Sequence, residues 1–400
     1  MANAYTDTSS GSFGGTVGGA GLVQKAYDRL LEFALRSEPL IRSVADKRPA
    51  RQSIPGSTVV LQKYVDLDAV TGTLTETVDP DAVALTTPTS VTVTLNEYGN
   101  AVLVTRALEL FSLADVDPAI ANIIAYNLAD SIDKVAMTTL RSGTNNIFSG
   151  TATSTATIAA SSTLDSADIR KAVAKLRSNK AKGRRGAAYW VGIHPEVSHD
   201  LRAETGDLGW RYPQSQSASE ASKIWAGEIG EYEGAFFVES SRLFNAKSGA
   251  DQSALATTAV TVAGVSAAFT FGVASSSVIA ARAEVGDKIS GTGVGTSAKI
   301  TAITTSGSTT TFTVDVANSA AVTVSTTITV TPVTRVFDTI VAGSQAMAEA
   351  VAEEPHVVIG NVTDKLMRFR PMGWYGVLGF AVYRDEALYR ITSGSSIAAL

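Results

Sequence analysis

The sequence contains no cysteine, which excludes disulfides, thiolate nucleophiles and zinc sites built on cysteine. Histidine is almost as scarce, with three in 400 residues. His194 and His199 stand five apart, so they do not share a helix face as the i, i+4 pair of a zincin does, and His356 is remote. A structural role therefore fits these histidines better than a metal site. No GxSxG elbow, no P-loop and no GxGxxG after a strand is present, which removes the short motifs that raise an enzyme reading. Long apolar runs are missing too. No stretch approaches the roughly 18 uninterrupted apolar residues of a membrane span, and Met1 to Ala20 is a Gly, Ser and Thr segment without the apolar core of a signal peptide. The expectation is a chain that is soluble and intracellular when made. A net charge of −5 is mild and lacks the signature of a dedicated nucleic-acid binder, so any DNA contact would be local. What is there is 45% hydrophobic content over 400 residues, enough for a sizeable core in two or three domains at roughly 100–200 residues each.

From Gly21 a glycine-rich arm gives way to a helical pattern, Leu22, Ala26, Leu30, Phe33 and Ala34, ended by Glu38-Pro39. Between Gly21 and Lys63 eight basic residues face four acids. The bland reading is a solvated helix face. The sharper one is an arm against acidic neighbours or packaged DNA, since phosphate attraction needs only a few such charges. Thr58 to Tyr64 and Val91 to Thr105 alternate as half-buried strands do, and read as two long partners. The Thr-rich, acid-dotted stretch between them is too long for an ordinary loop in a compact domain, so it is expected to reach beyond its own subunit. Asp66, Asp68, Glu76, Asp79 and Asp81 miss the EF-hand spacing, and no metal is assigned to them.

Asp117-Pro118 opens the strongest helix pattern, with Asp as N-cap, Pro at the first position, and Ile120, Ile123, Ile124, Leu128, Ile132, Val135 and Ala136 on one stripe. It stops near Gly143. A second helix begins at Asp165 or Ser166 and turns Ile169, Ala172, Val173 and Leu176 inward. Its other face and the loop beyond hold Arg170, Lys171, Lys175, Arg177, Lys180, Lys182, Arg184 and Arg185. No aromatic residue interleaves with these charges, so a solvated or subunit-facing surface is favoured over a nucleic-acid site. Ala187 to Ile193 reads as a buried strand, and His194-Pro195 starts a helix. Between about Ser248 and Pro332 the composition shifts to Ala, Thr, Val, Ser and Gly, with three basic and four acidic residues. FTFGV, KITAITT, TTFTVDV and TVSTTITV alternate as short strands, which suggests an inserted antiparallel sandwich or barrel. Trp374 to Ile391 should return to the main core.

YDRLLEFALRSEPLIRSVADKRPA leading to GSTVVLQKY, then VTLNEYGNAVLVTRALELF, the long helix, LDSADIRKAVAKLRSNKAKG with YWVGIHPEVSHDLR, IGEYEGAFFVESSRLF, DTIVAGSQAMAEA and EALYRITSGSS follow one another in this order. That order resembles the Hong Kong 97-type fold of tailed-phage major capsid proteins, in particular the family named for the major capsid protein of coliphage N-four. The resemblance covers most of the chain outside the insertion. It implies an α+β fold with an N-terminal arm and helix (1–50), an extended E-loop hairpin (51–106), a peripheral P domain with its spine helix (107–185), an axial A domain in two parts (186–247 and 334–362), an inserted β domain (248–333), and return strands (363–400). VGDKISGTGVGTSAKITAI is similar to small modules of phage structural proteins and would decorate the outer surface.

The resemblance further implies an icosahedral shell of homo-hexamers and homo-pentamers in the virion, enclosing double-stranded DNA that touches the inner face non-specifically. Assembly would occur in the host cytoplasm, with a portal, a separate scaffold protein and a possible decoration protein as partners, no membrane and no cofactor. The scaffold is expected to be separate because the chain starts almost directly with the arm. Noncovalent closure is expected, since the E-loop region offers only Lys63 for a lysine crosslink. The candidate interface residues are Tyr27, Arg29 and Arg36 on the arm, Lys63, Asp66, Asp68, Glu76, Asp79 and Asp81 on the loop, and Arg177, Lys180, Lys182, Arg184 and Arg185 on the basic run. The competing reading is a phage tail or cell-surface adhesin carrying the Thr-rich module, against which stands the missing secretion signal.

Overall fold

The computed structural model describes residues 39–49, 57–74, 76, 79, 82–85, 87–107, 116–204, 228–360, 366 and 368–397. The helix expected from Leu22 to Ala34 and the interface candidates Tyr27, Arg29, Arg36 and Asp81 lie outside these residues. The chain divides into two compact units.

The larger unit draws on residues 37–98, 129–354 and 376–400. Its centre is a seven-stranded sheet in the order Asn146–Phe148, Leu388–Ser393, Val333–Ala342, Tyr189–Ile193, Ala235–Glu239 and Glu228–Tyr232, with Phe244–Asp251 pairing beside Val333–Ala342. Both faces are covered, which is why YWVGI is apolar without a break. Tyr189, Val191 and Ile193 join Ile169, Ala172, Val173 and Leu176 of the helix Ser166–Ser178 in one cluster. Trp190 turns the other way, into a second cluster with Met137, Leu140, Ile340 and Leu388. The helix Ser166–Ser178 starts where the sequence places it, because the Asp165 carboxylate accepts the Asp168 N–H at 2.8 Å. The helix Pro195–Ala203 follows, with His194 as N-cap and Pro195 at its first turn.

The long helix runs Val116–Arg141, about 39 Å at ~1.5 Å per residue. Side chains of its first turn, including the expected cap Asp117, lie outside the described residues. Ile124, Ile132 and Ala136 are buried as the stripe requires, but Ile123 is 49% exposed. Ile123 and Ile124 are neighbours some 100° apart around the helix, so a cluster that buries one leaves the other at its margin.

The expected second strand, Val91 to Thr105, is two strands. Thr58–Lys63 pairs antiparallel with Thr89–Thr94 alone, and Asn96–Thr105 changes partner to run beside Phe369–Val382. The alternation continues through Leu95 although the partner changes, so periodicity could not reveal the break. Gly379 makes the close approach possible there, because a Cβ at that position would collide with the Thr94 carbonyl oxygen. In the same unit, Ala45–Pro49 pairs in parallel with Met347–Val351.

Residues 258–331 form a six-stranded sheet in the order Lys288–Gly291, Thr327–Thr331, Thr258–Val262, Thr270–Ala274, Thr309–Val314 and Ile300–Ser306. Its outer strands meet: Lys288 bridges Lys299, the Ile289 N–H donates to the Ala298 carbonyl at 2.9 Å, and the Ile300 N–H to that of Asp287 at 2.9 Å. The sheet thus curls into a small barrel, one of the two architectures the strand pattern allowed, and removes its own edges. Phe271, Phe312, Val273, Ile289, Ile300, Ile328 and Val330 fill it.

The smaller unit includes residues 99–128 and 355–375. Buried Trp374 donates its indole N–H to Asn127 Oδ1 at 2.9 Å, and Asn100 Nδ2 reaches the same oxygen at 3.2 Å. Gly373 and Gly99 allow the strands around Asn100 and Trp374 to lie this close.

Candidate subunit interface

The hairpin Thr58–Lys63/Thr89–Thr94 sends out the stretch 64–88, which has no helix or strand among its described residues. Its large apolar side chains are bare, with Val70 84% and Leu74 76% exposed and Val65, Leu67, Val83 and Leu85 all at least half exposed. Asp66, Asp68, Glu76 and Asp79 are exposed as well. Apolar surface on this scale without cover marks an interaction site.

The loop is held at its root. Lys63 Nζ sits 2.8 Å from Glu386 Oε1, and this hydrogen bond lowers the Glu386 carboxyl below its ordinary range. Tyr383 donates its hydroxyl to the Gln62 carbonyl at 3.4 Å, and the guanidinium carbons of Arg48 and Arg384 each lie 5.7 Å from its ring centroid. Beside this root opens a cleft of about 600 Å³ lined by Lys63, Asp66, Lys180, Lys182, Arg384 and Glu386, among others. Sequence reasoning found Lys63 but missed Glu386, Tyr383 and Arg384. They come from 323 residues further along the chain in the case of Glu386, and no local signal ties such positions together.

The basic run divides by environment. Arg184 is turned inward, donating to the Ser43 carbonyl at 2.8 Å and lying 3.7 Å from Asp46. The Arg185 guanidinium carbon stands 4.5 Å from the centroid of the Phe236 ring. Arg177 lies over Gly234, where a Cβ would come within 2.5 Å of its Nη2. Lys180 and Lys182 are exposed and line the cleft. Of the five residues, then, Arg184 alone is drawn inward, while Arg177, Lys180, Lys182 and Arg185 are exposed.

A second polar set surrounds the segment that follows the arm. Arg42 binds Glu349, which is fully buried, at 2.6 Å and Glu354 at 3.2 Å. The Arg42 backbone N–H donates to Asp133 Oδ1 at 2.9 Å, and Arg242 completes the set with Asp130 at 2.8 Å. Burial raises the Asp133 carboxyl, opposed by the Arg42 N–H and by Arg242. A third set stands at the foot of the barrel. Lys247 is 2.6 Å from Glu284 and 2.8 Å from buried Asp287, and both Glu284 oxygens accept from Arg335 Nη2 at 2.7 and 2.8 Å. Asp287 also accepts the Val333 N–H at 3.1 Å. Two of the few acids of the insertion, Glu284 and Asp287, thus meet Lys247 and Arg335 of the flanking strands where the barrel joins the body.

His194 is an N-cap whose Nδ1 accepts the Glu196 N–H at 3.2 Å, with its ring 4.6 Å from that of Phe337. Burial, then the nearby Arg335 charge, holds its pKa down at about 4. His199 is exposed beside Asp200. No group of three or more His, Asp or Glu side chains placed to hold a metal exists among the described residues, and no described helix is long and apolar enough to cross a membrane.

A body with its own core, bearing a long exposed loop and a cleft in which Lys180 and Lys182 have no carboxylate partner among the described residues, has surfaces suited to assembly into something larger. The model of the phage capsid protein family matches residues 88–298, just over half of the chain. The chain belongs to the phage capsid protein family, and its part is that of a major capsid protein. No curated protein sequence matches it. Among solved structures it is similar to the capsid of cyanophage P-SCSP1u (12% identity, 98% of this chain and 99% of that one, TM-score 0.59). It is also similar to the capsid of Ralstonia phage GP4 (13%, 93% and 95%, 0.57) and the head of Helicobacter pylori bacteriophage KHP40 (11%, 94% and 96%, 0.55). At such identities the likeness concerns the fold, which is the mixed α+β, Hong Kong 97-type fold.

Proposed function

We propose that this chain tiles the icosahedral shell of a tailed double-stranded-DNA phage as homo-hexamers and homo-pentamers, with a structural and not a catalytic role. The observation that carries this reading is the stretch 64–88, whose Val70, Leu74, Val83 and Leu85 are bare of cover from the described residues and offer apolar surface to another molecule. At roughly 25 cal/mol per Å² of apolar burial, repeated loop contacts around a ring stabilise a shell that no single contact would hold, although association offsets much of the gain. In this reading 1–50 is the arm, 51–106 the E-loop, 107–185 the P domain, 186–247 and 334–362 the A domain, 248–333 the outward decoration and 363–400 the return strands. The interface is formed by Tyr27, Arg29 and Arg36, by Lys63 with the loop acids, and by the basic run. Portal, separate scaffold and possible decoration proteins are its partners, DNA lies on its inner face, and shells form in the host cytoplasm.

Negative-stain electron microscopy of the purified chain, alone and with scaffold candidates from the same genome, tests this. Closed shells, or hexamers and pentamers, are expected. A monodisperse monomer or trimer under every condition, above all one that binds cells or glycans, overturns it in favour of an adhesin.

A further inference from the structure

The stretch 64–90 holds five acids (Asp66, Asp68, Glu76, Asp79, Asp81) and no base, whereas 170–185 holds eight bases and no acid. Among the described residues the two sets form no ion pair with each other within one chain, although Asp66 lines the same cleft as Lys180 and Lys182. Among the described residues no carboxylate lies within ion-pair distance of Lys180 or Lys182, and no cation within that distance of Asp68, Glu76 or Asp79. Asp66 and Glu386 line the cleft together with four cations, but Glu386 is already bound to Lys63, so the cleft keeps an excess of positive charge.

Lys180 is itself anomalous. The Ala181 N–H donates to the Leu176 carbonyl and the Lys180 N–H to that of Arg177, both at 3.0 Å. This is the paired closure of a helix C-terminus that puts the residue after the cap in the left-handed region. Lys180 occupies that position at φ 56°, where a side chain is strained and glycine fits freely. The helix end itself does not need this lysine, because Lys175 and Arg177 already supply cations to the last turn.

We propose that the cleft of Lys180 and Lys182 receives the acidic loop, Asp68 to Asp79, of a second copy of this chain. The inference rests on the shell reading above and names the seat of the loop. Reach is sufficient: at ~3.3 Å per extended residue, a dozen residues carry the tip on the order of 40 Å from Lys63. Charge decides the orientation. Acids meet lysines at the rim, where electrostatics contributes specificity and rate of encounter more than strength, while Val70 and Leu74 supply the apolar burial.

The test is an assembly titration of the full chain, read by sedimentation and electron microscopy, with circular dichroism melts for every variant. Lys180→Glu with Lys182→Glu, and separately Asp68→Lys with Glu76→Lys and Asp79→Lys, should each raise the subunit concentration needed for shells about tenfold or abolish shells, with melts unchanged. Joining both sets in one chain should restore assembly to within about threefold of wild type. Lys180→Gly should melt no lower than wild type and still assemble less well. The proposal is overturned if the cleft variant assembles like wild type, if the joined set stays as defective as its parts while folded, or if the cleft variant loses only DNA retention. Absence of wild-type shells under all conditions would instead sink the shell reading itself.

Discussion

The barrel at 258–331 and the loop at 64–88 share a vocabulary of Thr, Ala and Val, yet one closes on itself and the other lies bare. In the barrel, alternation is matched strand to strand. Phe271 stands opposite Phe312, and Thr270 to Ala274 pair in unbroken register with Thr309 to Thr313, so alternate residues fill a common interior. Turn glycines in the left-handed region at Gly286, Gly293 and Gly307 return the chain to that register. The loop has alternating Val65, Asp66, Leu67 and Asp68 but, among the described residues, no strand beside it. Composition thus decides neither outcome; a partner in register does. The loop's partner is to be sought in another molecule.

The comparison can be broken most decisively by removing the loop. Deleting residues 66–87 should leave a folded subunit with an essentially unchanged melt and no shells in electron micrographs; normal shells from that deletion would end the contrast. Next, Phe312→Ala should destabilise the barrel by about 3–5 kcal/mol, as for other large aromatic truncations in a core, and denaturant melts should show the barrel unfolding before the seven-stranded body. One transition at the wild-type midpoint would mean the barrel does not stand on its own core. At its foot, Asp287→Ala should cost about 3 kcal/mol by removing the buried carboxylate that binds Lys247 and accepts the Val333 and Glu284 N–H groups, and limited proteolysis should then cut near Gln252 or Pro332.

The foot should also report on pH through His194, which shares Arg335 with Glu284. Its folded pKa, about 4, lies below the ordinary histidine value of 6.5. Between those limits the unfolded chain binds a proton that the folded one refuses, so stability falls as pH drops from 6.5 towards 4. The contribution is on the order of 3 kcal/mol. His194→Asn keeps an N-cap acceptor and should flatten that part of the melting-temperature profile; an unchanged slope would assign it to carboxylates instead. Smallest of all, Val70→Ser should shift the melt of the free subunit by less than about 0.5 kcal/mol, as an exposed substitution does, while weakening shells measurably in the assembly titration.

Much of the fold was legible because its signals are local. Asp165 as a cap, the inward stripe Ile169, Ala172, Val173 and Leu176, the unbroken YWVGI and the short alternating strands of the insertion each fix their element by period and cap alone. The split at Leu95 was not legible, since one pattern serves two partners. Nor was the division of the basic run: Arg184 and Arg185 differ from Lys180 and Lys182 only in what distant segments bring beside them.

By itself the sequence determined which segments could form helices and strands, that a charge-poor β module interrupts the chain, and that acids and bases are sorted onto separate stretches. Tertiary structure decided which of these charges are spent at home. Glu386 reaches Lys63, Glu349 reaches Arg42 and Asp287 reaches Lys247 across long separations, whereas Lys180, Asp68, Glu76 and Asp79 find no such partner among the described residues. Ion pairing acts over a few ångströms of space, and the sequence records order along the chain, not proximity.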